Sequence, residues 1–469
     1  MLKNEEIWLF FIFFLIYAIF TGGPHSWNDV SRLALVQSIV EFKKLDINGS
    51  IYNVGDDRAF INGKFYSDKP PGTSFLGSLV YFVIHKLGLS FQENESLVYF
   101  FVTTFSVGLI SSLGAIYFYK LTSLYIKNKL KYVMLIAYAL GTLVFPFSTV
   151  FTSHSIVASS IVISFYYIQG KLKEKRLRPQ YLMISLFFLG FAMLVEYQSF
   201  IFVLPLITYL VYLLIKQNKK IGFKYLFYGI ISFIVPVLVA LIYNSLVTGS
   251  FFDTPYFHSP FFSEDHNKPK IKRININTLY EMLFSTSHGL FLYSPFLFIY
   301  LFFLFSRKHI IEKVLLSTCF LTILFFNSAI GDPIGGCTFG TRRMIPAIPF
   351  LMFGIIFLFS ENRNKILIYC MIFLVAISTT INLLGAITNP FMCSGNPIED
   401  AFNSLLKEKC WKTMFLPQII YEKYGCSEMP ALAEPSVNLT KTSLLNLILL
   451  VSLFFVFGIY KTKIFKFCS

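Results

Sequence analysis

The residues FYSDKPPG at positions 65–72 place a carboxylate beside an ammonium group, and two prolines and a glycine follow them. Asp29 and Arg32 lie upstream in the segment WNDVSRLALVQSIVEF. Because they are three residues apart, they share one face of a helix. Lys69 and Arg32 could bind a phosphate, and the Asp29 carboxylate could take a proton from a hydroxyl group. This combination is typical of group transfer from a phosphorylated donor.

Other polar residues fall in segments that belong to the same face of the predicted protein. Arg342 and Arg343 are further candidates for binding the donor phosphate, and Tyr66 and Glu196 are further candidates for the site. Asp68, together with the imidazole of His154 or His258, could hold a divalent metal ion, which is the one candidate cofactor. Each residue also has a simpler structural role, such as a helix cap for Asp29 or a lipid headgroup contact for the two arginines.

The elements that position these residues are predicted to be membrane helices. Of the 469 residues, 55% are hydrophobic and 14% are charged, and the mean hydropathy is +0.64. Soluble proteins carry about 25% charged residues, so the chain is predicted to be an integral membrane protein. The net charge of +15 is concentrated in short clusters between apolar runs. That distribution is typical of cytoplasmic loops and argues against nucleic-acid binding.

A helix that crosses the bilayer needs about 20 apolar residues. Twelve runs approach that length, and the sequence therefore predicts an all-α polytopic membrane protein. The predicted spans are 7–21, 97–119, 132–149, 151–168, 180–196, 199–215, 225–247, 288–305, 314–330, 344–360, 366–387 and 443–460.

The charge distribution determines the predicted orientation. With both termini inside, the inside segments hold 22 Lys and Arg against 5 Asp and Glu, and the outside segments hold 18 against 20. An excess of basic residues marks the cytoplasmic side. If residues 72–87 also crossed the membrane, every later loop would change sides and KLKEKRLRP would lie outside. The run 72–87 is therefore predicted to lie in the membrane interface.

The chain is thus predicted to be one membrane domain, 1–469, in the cell membrane, with FYSDKPPG on the extracytoplasmic face. The first outer loop, 22–96, should contain two amphipathic surface helices, one over 27–42 and one that begins at the proline pair. Further outer loops are predicted at 248–287 and 388–442. Four outer cysteines, Cys337, Cys393, Cys410 and Cys426, permit two disulfides with undetermined pairing.

The segments WNDVSRLALVQSIVEFKKLD and GKFYSDKPPGTSFLG resemble the first outer loop of the GT-C membrane glycosyltransferases. The likeness is to the lipid A aminoarabinose transferase and the protein O-mannosyltransferases. It covers about 50 residues well and the predicted topology over the rest. The resemblance implies transfer of a sugar from a polyprenyl- or dolichyl-phosphate donor to a lipid, glycan or protein acceptor, with inversion at the anomeric carbon.

Carried over to this chain, the resemblance implies that Asp29 engages the acceptor hydroxyl, Asp68 helps to hold a metal and Lys69 binds the lipid phosphate. Two positions differ from many relatives: Val30 follows Asp29 where they have Glu, and His154 stands where several carry an acid. A transporter or flippase of polyprenyl-linked sugars is the alternative function, and a non-catalytic scaffold is a third. Transporters usually place their polar sites near the bilayer midplane in repeated halves, and this sequence has no visible repeat.

Overall fold

The structure is a computed structural model. It describes residues 4–24, 26–171, 178–216, 223–261, 274–330, 332–336, 338–361, 364–388, 390–391 and 396–406. The predicted span 443–460 and all four predicted outer cysteines lie outside these residues. The described part is mostly helical, as predicted, with a single pair of short strands.

Eighteen α-helices and two strands follow one another along the described residues. They are α1 Asn4–Ile19, α2 Trp27–Gln37, β1 Arg58–Ile61, β2 Lys64–Ser67, α3 Gly72–Lys86, α4 Phe91–Thr103, α5 Leu109–Tyr125, α6 Leu130–Ala139, α7 Val144–Phe147, α8 His154–Tyr166, α9 Pro179–Val195, α10 Phe200–Lys216, α11 Phe223–Thr248, α12 Ile276–Phe284, α13 Leu290–Tyr293, α14 Tyr300–Leu304, α15 Ile310–Ala329, α16 Ile348–Glu361, α17 Lys365–Ile387 and α18 Pro397–Leu406.

Six helical segments of the described chain are long and apolar enough to cross a membrane. They are Phe91–Tyr125, Tyr197–Lys216, Lys224–Thr248, Ile310–Ala329, Arg342–Glu361 and Lys365–Ile387. The first combines α4 and α5 through a π-helical turn at Thr104–Gly108. Many of the large apolar side chains on α11 are exposed, as expected for a helix that faces lipid. The chain is a membrane protein, and the count of twelve spans stays a prediction.

Two of the predicted spans are not continuous helices. The run 132–149 is divided into α6 and the single turn α7, and Gly141 lies between them. The run 288–305 is divided into α13, a 3₁₀ segment at Pro295–Ile299 and α14. Pro295 lacks the N–H that helix continuation needs, and it lies at the interruption of the second run. A hydropathy profile does not detect such an interruption.

The first outer loop differs from the prediction in two ways. The helix α2 and the π turn that continues it, Ser38–Phe42, match the predicted bounds. However, residues 28–37 are all buried, so α2 lies within the protein instead of on a membrane surface. The second difference is that β1 and β2 form an antiparallel hairpin that was not predicted. Its turn is Asn62–Gly63, and both residues have positive φ, as a two-residue hairpin turn requires.

The helix α3 begins at Gly72, directly after the proline pair, as predicted. The side chains of Leu79, Phe82 and Val83 are 70%, 49% and 58% exposed, so α3 presents an apolar face at the protein surface. At its start, α3 meets the end of α9 so closely that a Cβ on Gly72 would lie 2.7 Å from the Leu194 carbonyl oxygen. Only glycine allows this contact without a shift of the backbone, and the contact fixes where α3 starts.

Candidate active site

The start of α2 encloses Asp29 completely. Ser26 is the N-cap of α2, and Asp29 accepts hydrogen bonds at Oδ1 from the Ser26 backbone N–H at 2.7 Å and from the Val30 backbone N–H at 3.1 Å. The Ser26 hydroxyl also contacts Oδ1 at 3.0 Å. This is a capping box with Asp29 in its third position. Asp29 is therefore fully buried, and it has the structural role that its helix-start position suggested, although Ser26 is the cap itself.

Arg32 connects α2 to two other parts of the chain. Its Nη1 donates to the Asn28 carbonyl oxygen at 2.9 Å and also to the Asn28 side-chain oxygen. Its Nη2 donates to the Ser153 hydroxyl at 3.1 Å, and that hydroxyl donates to Glu196 Oε2 at 2.7 Å. Arg32 and Glu196 are themselves 3.9 Å apart. The structure thus brings together Arg32 and Glu196, two predicted site residues that are distant in sequence.

Burial lowers the pKa of the Arg32 guanidinium, and the carboxylates around it, with Glu196 the strongest, oppose that effect. Its side chain is 1% exposed, and its Nε has no hydrogen-bond partner in the described part of the chain. A buried cation with an unmet donor favours an anion in its vicinity.

Lys69 lies between two carboxylates. Its ammonium is 2.9 Å from Asp68 Oδ2 and 3.0 Å from Asp57 Oδ2. The hairpin explains why Asp57 is there: Arg58 pairs with Ser67 in the strand register, so the residues just beyond the pair, Asp57 and Asp68, face each other at the same end. Asp57 was not predicted as a site residue, because the hairpin that brings it there was missed.

Asp68 is anchored more firmly than Asp57. Its Oδ1 accepts a hydrogen bond from the Ser31 hydroxyl at 3.3 Å, and Ser31 also bonds the Ser67 hydroxyl at 2.9 Å. Asp68 is completely buried, and burial raises its pKa to about 6 despite the opposing charge of Lys69. Burial also acts to raise the pKa of Asp57, but the ion pair with Lys69 outweighs it, and the pKa of Asp57 falls below its ordinary value.

The two adjacent arginines have different surroundings. Arg343 Nη2 lies 3.4 Å from Asp332 Oδ2. Asp332 Oδ1 accepts hydrogen bonds from the backbone N–H groups of Gly335 and Gly336, both at 2.9 Å. Burial alone would raise the pKa of Asp332, but Arg343, Arg342 and the two N–H groups together lower it to about 2. Asp332 is therefore a firmly ionised partner for Arg343.

Arg342 is partly buried, and its Nε and Nη1 atoms are buried without an acceptor within the residues that the structure describes. Its guanidinium lies over the Phe391 ring, 5.4 Å from the centroid. Gly335, at φ +101, lies so close beneath it that a Cβ there would be 2.5 Å from Nε. Arg342 is near enough to Asp57 to influence it electrostatically. It is thus a partly buried cation within electrostatic range of the Lys69 cluster (Lys69, Asp57 and Asp68), with two buried donors left for an anion.

The predicted metal ligands do not form a metal site in this structure. The Asp68 carboxylate is engaged by Lys69 and Ser31, and His258 Nε2 pairs with Asp253 Oδ2 at 2.7 Å. His154 begins α8 and is buried, and its Nδ1 has no partner in the described residues. The charged groups that act on its ring are all cations: Arg32, Lys69, Arg342 and Arg343.

No group of three or more His, Cys, Asp or Glu side chains that could hold a metal occurs in the described ranges. The residues present therefore do not fit the predicted metal, and the Lys69 ammonium already fills the space between two carboxylates. Tyr66, the remaining predicted residue, is partly buried in β2 and pairs with Ala59. It packs against the core.

Residues 68–243 match the family model described as dolichyl-phosphate-mannose-protein mannosyltransferase, a segment that begins at Asp68 and includes Lys69, His154 and Glu196. No curated protein matches the chain. This match, over less than half of the chain, agrees with the resemblance to the protein O-mannosyltransferases.

Two similar solved structures are both of ArnT from Cupriavidus metallidurans. The structure in the apo state is 13% identical, with 73% of this chain and 57% of that chain covered and a TM-score of 0.48. The structure bound to undecaprenyl phosphate is 14% identical, with 81% and 70% covered and a TM-score of 0.47. This chain thus spans little more than half the length of the first of them.

Proposed function

We propose that this chain is a GT-C-type glycosyltransferase that moves a sugar from a polyprenyl- or dolichyl-phosphate carrier to an acceptor on the outer face of the membrane. Arg342 is the residue that supports the proposal most directly, because its Nε and Nη1 are buried without an acceptor in the described residues and its charge acts on Asp57 of the Lys69 cluster. A buried cation with unmet donors is costly unless an anion completes it. A lipid-linked phosphate, delivered from the bilayer, is an anion suited to this place.

The reaction requires negative charge to develop on the phosphate oxygen as the sugar leaves. The acceptor oxygen attacks the anomeric carbon, and the bond between that carbon and the phosphate oxygen breaks, so the electron pair leaves with the lipid phosphate. Arg342 and Lys69 would stabilise that charge, because fixed cations in an enclosed site act strongly on a developing anion. Attack from the side opposite the leaving group inverts the anomeric carbon.

The proton of the acceptor hydroxyl must go to a base. We assign this role to Asp29, as the resemblance implies, although its carboxylate also holds the capping box of α2. Asp29→Asn keeps an oxygen that can accept the Ser26 N–H, and it removes the charge that a base needs. The variant should therefore fold, bind donor and lose transfer by about 100-fold or more, the scale of general-base removal.

Lys69→Ala should fail in another way, by weakening donor binding. The assay is transfer by the purified protein from radiolabelled polyprenyl-phosphate sugars to candidate acceptors, together with donor binding. Lys64→Ala is the matched control, since Lys64 lies in the same hairpin and pairs with Asp46 at 3.4 Å outside the cluster. Near-normal transfer by Asp29→Asn would overturn the role of Asp29. Movement of lipid-linked sugar across vesicles with no new glycosidic bond would favour the transporter.

A further inference from the structure

We infer that the Asp57 carboxylate occupies the place of the donor phosphate on Lys69, and that the phosphate displaces it when the donor binds. The inference rests on the proposed function and deepens it. It makes Asp57 a positioning residue that sets the affinity and the charge balance of the donor site.

The charges around Lys69 make a direct approach of phosphate unfavourable. One ammonium contacts two carboxylates, at 2.9 and 3.0 Å, so the group of three carries a formal charge of −1 when both acids are ionised. A phosphate that joined the group would face two like charges within a few ångströms, in a partly buried place where screening is weak. One carboxylate must therefore leave, or be protonated, before Lys69 can serve an anion.

Asp57 is the carboxylate that can leave. Asp68 is completely buried and has a second tie to Ser31. Asp57 is 16% exposed, and Lys69 is the one side chain of the described residues with which it forms an ion pair. The cost of moving Asp57 toward water is thus the loss of a single contact, whereas moving Asp68 would break two and disturb α2.

Displacement of Asp57 requires only that its side chain rotate. Asp57 precedes β1 in a segment without helix or strand. The hairpin itself is held by its own register, so Asp57 can turn outward while Lys69 and Asp68 keep their places. The phosphate would then lie between Lys69 and Arg342, whose charge already acts on Asp57 in the present arrangement.

The test compares the binding of undecaprenyl phosphate, in detergent micelles, to the wild-type protein and to Asp57→Asn. The asparagine keeps the size of the side chain and removes the competing charge, so binding should become about tenfold tighter. Asp57→Glu restores the charge and should bind within about twofold of wild type. Asp46→Asn is the matched control, because Asp46 pairs with Lys64 in the same region, and it should leave binding unchanged.

If Asp57→Asn binds no more tightly than wild type while the wild-type protein binds well, the displacement is overturned and the proposed function stands. If Asp57→Asn does not fold, Asp57→Ser is measured in its place, with the same expected tightening and the same contrary result. If the wild-type protein binds neither undecaprenyl phosphate nor dolichyl phosphate, the proposed function is overturned and this inference with it.

Discussion

Two clusters of charged side chains differ in how fully their polar atoms are paired: one at the start of α1 and one in the candidate active site. At the start of α1, Glu5 accepts hydrogen bonds from the hydroxyls of Tyr119, at 2.8 Å, and Tyr132. Its neighbour Glu6 pairs with Lys120 at 3.4 Å. None of the polar atoms in this first cluster is among the buried unpaired atoms of the described chain.

The candidate active site contrasts with that cluster. Nitrogen atoms of Arg32, His154, Arg342 and Arg343 are buried there without partners in the described residues. Since native proteins pair nearly all their buried polar groups, each exception needs a reason. The Glu5 cluster is paired as expected of residues that stabilise the fold. The candidate active site has the unpaired buried donors expected of a binding site. The distinction can be tested at three levels.

The largest effect concerns the sides of the membrane on which the two clusters lie. Lys64 lies near the candidate site and Lys127 in the predicted inside segment 120–131, and both side chains are exposed. A single cysteine is introduced at each position in a protein without its native cysteines. Each should react with an impermeant thiol reagent added on one side of the membrane only, and the two positions should react from opposite sides. Labelling of both from one side would refute the predicted orientation.

The next effect concerns Arg342. Arg342→Gln should weaken the binding of a polyprenyl phosphate by about 100-fold, because charge-paired contacts in enclosed sites are worth about 2–5 kcal/mol. The unfolding temperature should stay the same or rise, since the substitution removes a charged group whose Nε and Nη1 are buried without a hydrogen-bond acceptor in the described residues. Arg178→Gln, at the exposed start of α9, is the control. A loss of stability with unchanged binding would make Arg342 a structural residue instead.

The smallest effect concerns Glu5. Glu5→Ala removes the acceptor of two tyrosine hydroxyls and should lower the free energy of unfolding by about 1–3 kcal/mol. Sugar transfer at a temperature where the variant is folded should not change. Glu93→Ala, an exposed carboxylate in the first turn of α4, controls for the loss of one charge. A tenfold or larger loss of transfer in Glu5→Ala would mean that the two clusters do not differ in the way proposed here.

Much of the helical structure follows from the sequence, because apolar runs and proline positions are local signals. The bounds of α2 with its π turn and the start of α3 at Gly72 were both predicted correctly. The burial of α2 was not predicted, because the periodicity of Leu33, Val36 and Val40 also fits a helix with one solvent-exposed face. Whether a helix is covered on its second face depends on distant segments, such as Ser153 and Glu196, which contact it in the fold.

Local spacing also explains which of the proposed site residues could be grouped from the sequence. Asp68 and Lys69 are adjacent, and Asp29 and Arg32 share a helix, so local spacing was enough to select them. Asp57 could have been found, since Asn62–Gly63 between alternating apolar residues is a strong hairpin signal, and a hairpin there places residue 57 opposite residue 68. The structure gives the predicted metal ligands Asp68 and His258 other partners, Lys69 and Asp253, and no local sequence signal indicates those pairings.

The hairpin has a consequence for how this loop can vary in length. Its register, Arg58 with Ser67 down to Ile61 with Lys64, sets Asp57 and Asp68 opposite each other, whatever lies at the tip. Residues added in pairs, one to each strand, would lengthen the ribbon and preserve that pairing. A single insertion or deletion in one strand would turn its side chains to the other face and remove Asp57 from Lys69. Viable insertions and deletions between residues 57 and 68 should therefore come in matched pairs or fall within the turn, so the loop can change in length while its charge arrangement is inherited intact.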